Sequence, residues 1–363
     1  MAASMLVIAT FSVTSMVSAY AAAASTATPR AFILVVADNA SQNALSTFVG
    51  SFIFSVVALT ATKSNLFDKA GIFILFAMTV LVFAIVIYTF VRWVDRIARL
   101  GRMGSTINKV ETATSNALTR RRTAPTLYGV KVGSFDGGKA LFSASVGYVQ
   151  HINISALQQW AEKNDMRIMI AALPGTFATP DRAIVYAAPN SMDYSKLGDR
   201  TEMDYSDVID CFQIGDHRLF DDDPRFGLVV LSEIASRALS PAVNDPGTAI
   251  NVLGTMLRLF VQWHHTVAVE DKNTPHYDRV AVPEILLRDM FDDAFTAIAR
   301  DGAAMVEVSL RLQKTLHSLA AIDDAAMHDA AIHHSQLALK RAKIALDLED
   351  DLTLVEDAAK FVK

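Results

Sequence analysis

The stretch from Gly71 to Val91, GIFILFAMTVLVFAIVIYTFV, carries no charged residue. At about 1.5 Å per residue a helix of this length reaches about 30 Å, the thickness of a bilayer's hydrocarbon core. A helix that is apolar on every side predicts a membrane span, and the rest of the chain has to be arranged around it. Hydrophobic residues fill 52% of the 363 positions, above the usual soluble range, whereas the 20% of charged residues is ordinary. The apolar surplus is therefore local, and it lies in the first hundred residues, where charges almost vanish.

Two further stretches read as spans. Ala44 to Thr62 is one, despite Ser46, Thr47, Ser51, Ser55, Thr60 and Thr62, because small hydroxyl residues suit contacts between helices in lipid. Met5 to Ala24 is the other. A secretory signal of that length would need a positive start, and no Lys or Arg precedes Arg30, so a span is the better reading. The predicted spans are thus about 5–24, 44–62 and 71–91. Between the first two, PRAFILVVADNASQN is too short to cross and fits the membrane interface.

Arg92, Arg96, Arg99 and Arg102 follow the strongest span, while the short Lys63 to Lys69 connection holds two lysines and Asp68. The positive-inside rule then puts everything after Val91 in the cytoplasm. Arg92, Arg96 and Arg99 recur at helical spacing, so a basic juxtamembrane helix completes the membrane region 1–118 and faces anionic headgroups. A net charge of −5 gives no general case for nucleic-acid binding. Cys211 is the lone cysteine, which excludes an internal disulfide and a thiolate zinc site and suits a reducing compartment.

TRRRTAP, Thr119 to Pro125, reads as a solvated hinge, and beyond it the pattern changes. KALFSASVGYVQHI, RIMIAAL and DRAIVYAAP are short β-rich runs, with a short helix from Ser155 to Asn164 capped by Ser155. Residues 127–215 are expected to form a small β-rich module. Gly133, Gly138 and Lys139 imitate a phosphate-binding loop, but Ala140 replaces the magnesium-binding hydroxyl and the following residues look strand-like, so a hairpin turn is expected.

From 216 to 363 the signals are helical. In FDDDPRFGLVVLSEIASRAL, Asp223 can cap a helix whose first position is Pro224, and Glu233 and Arg237 are spaced to pair on one face. The next motif, RALSPAVNDPGTA, reads as a corner: one helix stops at Ser240, Pro241 forces the turn, and Asp245-Pro246 starts another helix. Arg237 and Asn244 have no capping role there. Arg237 could bond the open carbonyls or pair with Asp245, so Arg237, Ser240, Pro241, Asn244, Asp245 and Pro246 form a candidate functional or structural motif. Along the second helix Thr248, Asn251, Thr255, Arg258 and Gln262 make one polar stripe on an otherwise apolar rod. Thr266 to Pro283 reads as a loop. Stripes at Met305, Val308, Leu312, Leu316 and Leu319, and at Met327, Ala330, His334, Leu337, Arg341 and Ile344, predict a terminal helical bundle or hairpin.

Enzyme signatures such as H-E-x-x-H, G-x-S-x-G and C-x-x-C do not occur, and no cofactor is implied. The sharpest chemical candidate is GDHRLFDDDP, where Asp216, His217, Asp221, Asp222 and Asp223 could hold a hard cation; the plainer reading is a solvated acidic loop with one capping carboxylate. No metal site is assigned.

GYVQHI, LPGTF and IGDHRLFDDDPRFGLVVLSEIASRALSPAVNDPGTA together resemble the bacterial predicted membrane proteins catalogued as domain-of-unknown-function family 2254. The resemblance implies an integral membrane protein with N-terminal spans and a cytoplasmic remainder; with the residue patterns above, the expected fold is an α+β protein of the bacterial inner (plasma) membrane, with N-terminal transmembrane helices, a small β-rich cytoplasmic module and a C-terminal α-helical domain. It assigns no reaction. Members usually carry four spans, so by this likeness the chain begins inside the second. The function classes left are an oligomeric channel or transport-linked protein, a membrane-anchored scaffold or sensor, and a membrane enzyme using the Asp-rich loop. Spans without an acid or base disfavour proton coupling, and a non-enzymatic role is expected. The expected partners are the lipid bilayer and further copies of the chain.

Overall fold

The computed structural model describes residues 2–26, 28–36, 39–64, 68–100, 103–133, 135, 138–190, 203–265 and 275–361. They fall into two compact units, Met1–Val110 and Glu111–Lys363.

The first unit is helical. It contains α1 (Ala2–Thr26), α2 (Pro29–Val36), α3 (Asn39–Lys63), α4 (Lys69–Leu100) and the start of α5 (Met103–Thr123). Stretches of α1, α3 and α4, Ala2–Ala21, Gln42–Lys63 and Lys69–Ile97, are long and apolar enough to cross a membrane. Ser51 and Ser55 are buried in α3, and each hydroxyl donates to the carbonyl four residues back, at 2.7 Å. This back-bonding satisfies the hydroxyls within the helix, so a polar-looking sequence remains compatible with lipid. Met5, Ala9, Ala44, Phe48, Val86 and Trp93 form the small core of the unit, with the Phe48 and Trp93 rings edge to face. The stretch from Pro29 contributes α2 rather than a span.

In the second unit, β1 (Gly129–Lys131), β2 (Lys139–Phe142), β3 (Gly147–Ile152), α6 (Ile154–Lys163), β4 (Met166–Ile170), β5 (Phe177–Ala178), β6 (Ala183–Pro189), α7 (Ser206–Ile209) and β7 (Phe212–Gly215) precede the helical part. Then come α8 (Pro224–Ala238), α9 (Pro246–His265), β8 (Tyr277–Val282), α10 (Leu287–Asp301), α11 (Val306–Ala320), α12 (Ala325–Ala345) and α13 (Glu349–Ala358). One sheet has the order β1-β8-β4-β6-β2, parallel at β1–β8 and β8–β4 and antiparallel elsewhere; the other is antiparallel, β5-β3-β7. Leu157 of α6, Ile168 and Ile170 of β4, Val185 of β6 and Val280 and Val282 of β8 share one buried core.

The structure departs from several of these expectations. The loop expected over 266–283 contains β8, an inner strand of the larger sheet, while 266–274 lie outside the described residues. Its sequence, YDRVAV, is short and begins polar, but parallel neighbours on both sides bury its second half. Asn153, not Ser155, caps α6, accepting from the Ala156 amide at 3.0 Å. A cap must precede the first helical residue, and Ser155 is already inside the helix. Arg120, Arg121 and Arg122, expected in a solvated hinge, belong to the last turn of α5, and Arg121 is buried. Lys139 opens strand β2, so no helix follows the phosphate-loop imitation; residues 134, 136 and 137 of that loop lie outside the description.

The C-terminal part of the α9 polar stripe, Arg258 and Gln262, bonds to α5, whereas Thr248 bonds Asp245 and Asn251 is exposed. Arg258 donates two bonds to Glu111 at 2.7 and 2.8 Å, and Gln262 bonds with Ser115 and Thr119. On the neighbouring face of α5, Thr114 lies so close to α8 that a Cβ on Gly227 would collide with it. Phe291 and Phe295 of α10 pack against Phe260 of α9 and against His334 of α12. The buried face of α12 is Met327, Ala330, Ala331, His334, Ser335, Ala338 and Ala342; Ile344, expected on that face, is 88% exposed.

Candidate functional site

The two motifs singled out in the sequence stand at opposite ends of α8. Fifteen residues of helix separate them by about 21 Å along the axis.

At the C-terminal end is the corner. The Ser240 hydroxyl donates to the Arg237 carbonyl at 2.7 Å, and the amides of Val243 and Asn244 return to the Ser240 carbonyl. Asn244 sits at φ 49°, a left-handed position that Asn tolerates better than most side chains, which explains its place in the motif. The Asp245 amide then closes onto the Ala238 carbonyl at 2.8 Å. Its carboxylate accepts from the Thr248 amide at 3.1 Å and the Thr248 hydroxyl at 2.6 Å, and these bonds hold it below the usual carboxylate range. Pro246 opens α9. Arg237, Pro241, Asn244 and Asp245 are all exposed. The motif is built as a corner between helices.

At the N-terminal end is a network of ion pairs. Asp223 is 3% exposed and caps α8 through the Phe226 amide at 3.1 Å. It also accepts a fork from Arg218, Nε at 2.6 Å and Nη2 at 3.0 Å. Gly175, at φ 92° in the 173–176 turn, lies against this carboxylate; any Cβ there would strike it. Arg225 donates Nε to Asp293 at 2.6 Å and Nη1 to Asp289 at 2.8 Å. Burial raises the Asp293 carboxyl above its ordinary value against the pull of Arg225. Burial also pushes the Arg121 guanidinium down to about 10, with Asp223 and then Asp222 acting in the opposite sense.

The remaining acidic-loop residues do not converge on one point. Asp222 bonds His151 Nδ1 at 2.6 Å, Arg120 donates to the Asp221 carbonyl, and the His217 carbonyl accepts from Gln150 at 2.7 Å. Asp216, His217 and Asp221 are exposed. Among the described residues no three His, Cys, Asp or Glu side chains gather as metal ligands. Arg218, Arg225, Asp289, Asp293, His151 and Gly175 were not marked by sequence reasoning. The one signal for them is FDDDPR itself, which puts a cation one residue after the helix-starting proline.

The network forms one side of a cleft of about 390 Å³. Its walls are the turn Leu173–Thr176, Arg218 and Arg225, and the segment Pro283–Leu286 with Asp289. A smaller cleft of about 280 Å³ holds the His151–Asp222 pair.

The family model described as "Predicted membrane protein (DUF2254)" matches residues 1–318. This chain belongs to that family. The three apolar helices accordingly fit a place in the lipid bilayer. Uncharacterized proteins of Mycobacterium tuberculosis, strains CDC 1551 / Oshkosh and H37Rv, and of Mycobacterium bovis are each 30% identical to the chain over 138 residues. The match covers 36% of this chain and 22% of each relative's length. No solved structure matches.

Proposed function

We propose that this chain is a membrane-anchored sensor of the bacterial inner membrane, with residues 111–363 in the cytoplasm and the 390 Å³ cleft as its ligand site. The pair Arg218 and Arg225 carries the reading. Two guanidinium groups fixed by carboxylates in the wall of a concave, partly apolar cleft are what a small-molecule site requires. Cytoplasmic placement draws on the arginines that follow Val91. In cells, a topology reporter fused at Lys363 is expected to be active only in its cytoplasmic form. Leu286→Glu, at a 63% exposed position of the cleft wall, should reproduce the phenotype of gene deletion with normal protein level and insertion. A periplasmic reporter signal, or a fully active Leu286→Glu protein, refutes the proposal.

A homo-oligomeric channel is the second reading, and α4 is what favours it. Among its described residues from 69 to 91 only Val86 is buried, which leaves apolar surface for neighbouring copies as well as lipid. Single-channel recording of the purified protein in bilayers separates the two readings: a discrete conductance selects the channel.

A further inference from the structure

We propose that the cleft binds a small organic anion, its carboxylate or phosphate head between Arg218 and Arg225 and its apolar body against Leu173, Pro174, Ile285 and Leu286. The inference rests on the sensor reading for its cellular role, while the binding follows from the chemistry of the cleft. Each guanidinium has two of its three nitrogens pinned by carboxylates: Nε and Nη2 of Arg218 by Asp223, Nε and Nη1 of Arg225 by Asp293 and Asp289. Arg218 Nη1 and Arg225 Nη2 hold no bond among the described residues, and both side chains line the same cleft. A guanidinium pinned in this way loses little freedom when its third nitrogen donates to a ligand, and guanidinium N–H groups match carboxylate and phosphate oxygens.

The surrounding charge leaves room for an anion. Asp223, Asp289 and Asp293 are balanced by Arg218, Arg225 and Arg121, and Glu284 on the cleft wall is held by Lys131 at 3.0 Å. Arg121, 3% exposed and outside the cleft lining, completes that balance through Asp223 and Asp222, so the preference for an anion rests on the two free guanidinium edges. On the far wall α10 begins without a side-chain cap, and Leu286 occupies its N-cap position, so the positive end of that helix adds to the preference. A bare inorganic anion would leave the four apolar wall residues uncovered, and a cation would face the two free guanidinium edges.

Calorimetric titration of the full chain in uncharged detergent tests this with hexanoate, hexyl phosphate, inorganic phosphate and hexylamine. The expected result is saturable binding of hexanoate or hexyl phosphate, at least about ten-fold tighter than inorganic phosphate, with hexylamine not binding; the tighter of the two organic anions identifies the head group. Arg225→Lys keeps the charge but loses the fork, and should weaken binding about ten-fold or more. Because Arg225 also joins Asp289 to Asp293, Leu286→Glu is the decisive variant: it touches no ion pair and should cut affinity about ten-fold or more with an unchanged melting temperature. No saturable binding of either organic anion, preference for hexylamine, or unchanged affinity in Leu286→Glu overturns the inference. A Leu286→Glu protein that loses anion binding but keeps full activity in cells refutes the sensor reading and leaves the anion site standing. A Leu286→Glu phenotype in a protein that binds neither organic anion does the reverse.

Discussion

Acidification should unlock the helical bundle at His334, and the size of the effect follows from its surroundings. The side chain is 2% exposed, packed between the rings of Phe291 and Phe295. Its Nε2 lies 3.1 Å from Asp292 Oδ1, in a geometry that falls short of a hydrogen bond, and Asp292 is half exposed. Burial lowers its pKa from 6.5 to about 4; Asp292 opposes the shift, while His333 and Arg288 reinforce it. The folded protein therefore resists a proton that the unfolded chain accepts near pH 6.5. Stability is intact above that value and drains as pH falls towards 4, by about 2 kcal/mol at pH 5 and on the order of 3 kcal/mol at the limit. Carboxylates also titrate in this window, so the informative quantity is the difference from His334→Leu, which cannot titrate. Urea unfolding of the full chain in detergent, followed by tryptophan fluorescence from pH 8 to 4, should show the wild type losing about 2 kcal/mol more than the variant by pH 5. Parallel loss in the two proteins would refute the argument, because it would mean that His334 is hydrated or paired well enough to protonate in the folded state.

Three other outcomes follow from contacts elsewhere in the second unit. Asp245→Ala removes the cap of α9 and should cost about 0.5–2 kcal/mol in thermal melts; an unchanged melting temperature would overturn the corner reading. Asp223→Ala strips both the cap of α8 and the partner of the mostly buried Arg218, so a loss of about 3–5 kcal/mol is expected; a change below about 1 kcal/mol would show the pair to be solvated. Gly227→Ala should cost about 1–3 kcal/mol by pushing Thr114 away, and pairing it with Thr114→Ala should restore part of the loss; additive losses would place the strain elsewhere.

Much of this architecture is local and could be read along the chain. Twenty-one uncharged positions leave lipid as the only environment for α4, and Asp-Pro before α8 and before α9 marks both helix starts because capping depends on residues within one turn. Asn244 is intelligible from its own backbone angle once that angle is known. What the tertiary structure decided is everything that depends on distant neighbours. YDRVAV is an inner strand because β1 and β4 flank it, and nothing within its six residues specifies parallel partners so far away in sequence. The Leu337, Arg341, Ile344 progression suggested one face of α12, whereas the helix buries Ala338 and Ala342, because small side chains there allow close approach of its neighbours. The cleft is the furthest from local logic. Its arginines come from the loop before α8 and from its first turn, their carboxylates from Asp223, Asp289 and Asp293, and its floor from a turn at Gly175. Charge and residue type are properties of sequence, but which charges cancel and which guanidinium edge stays free is set by distances of a few ångströms that only the packed fold supplies.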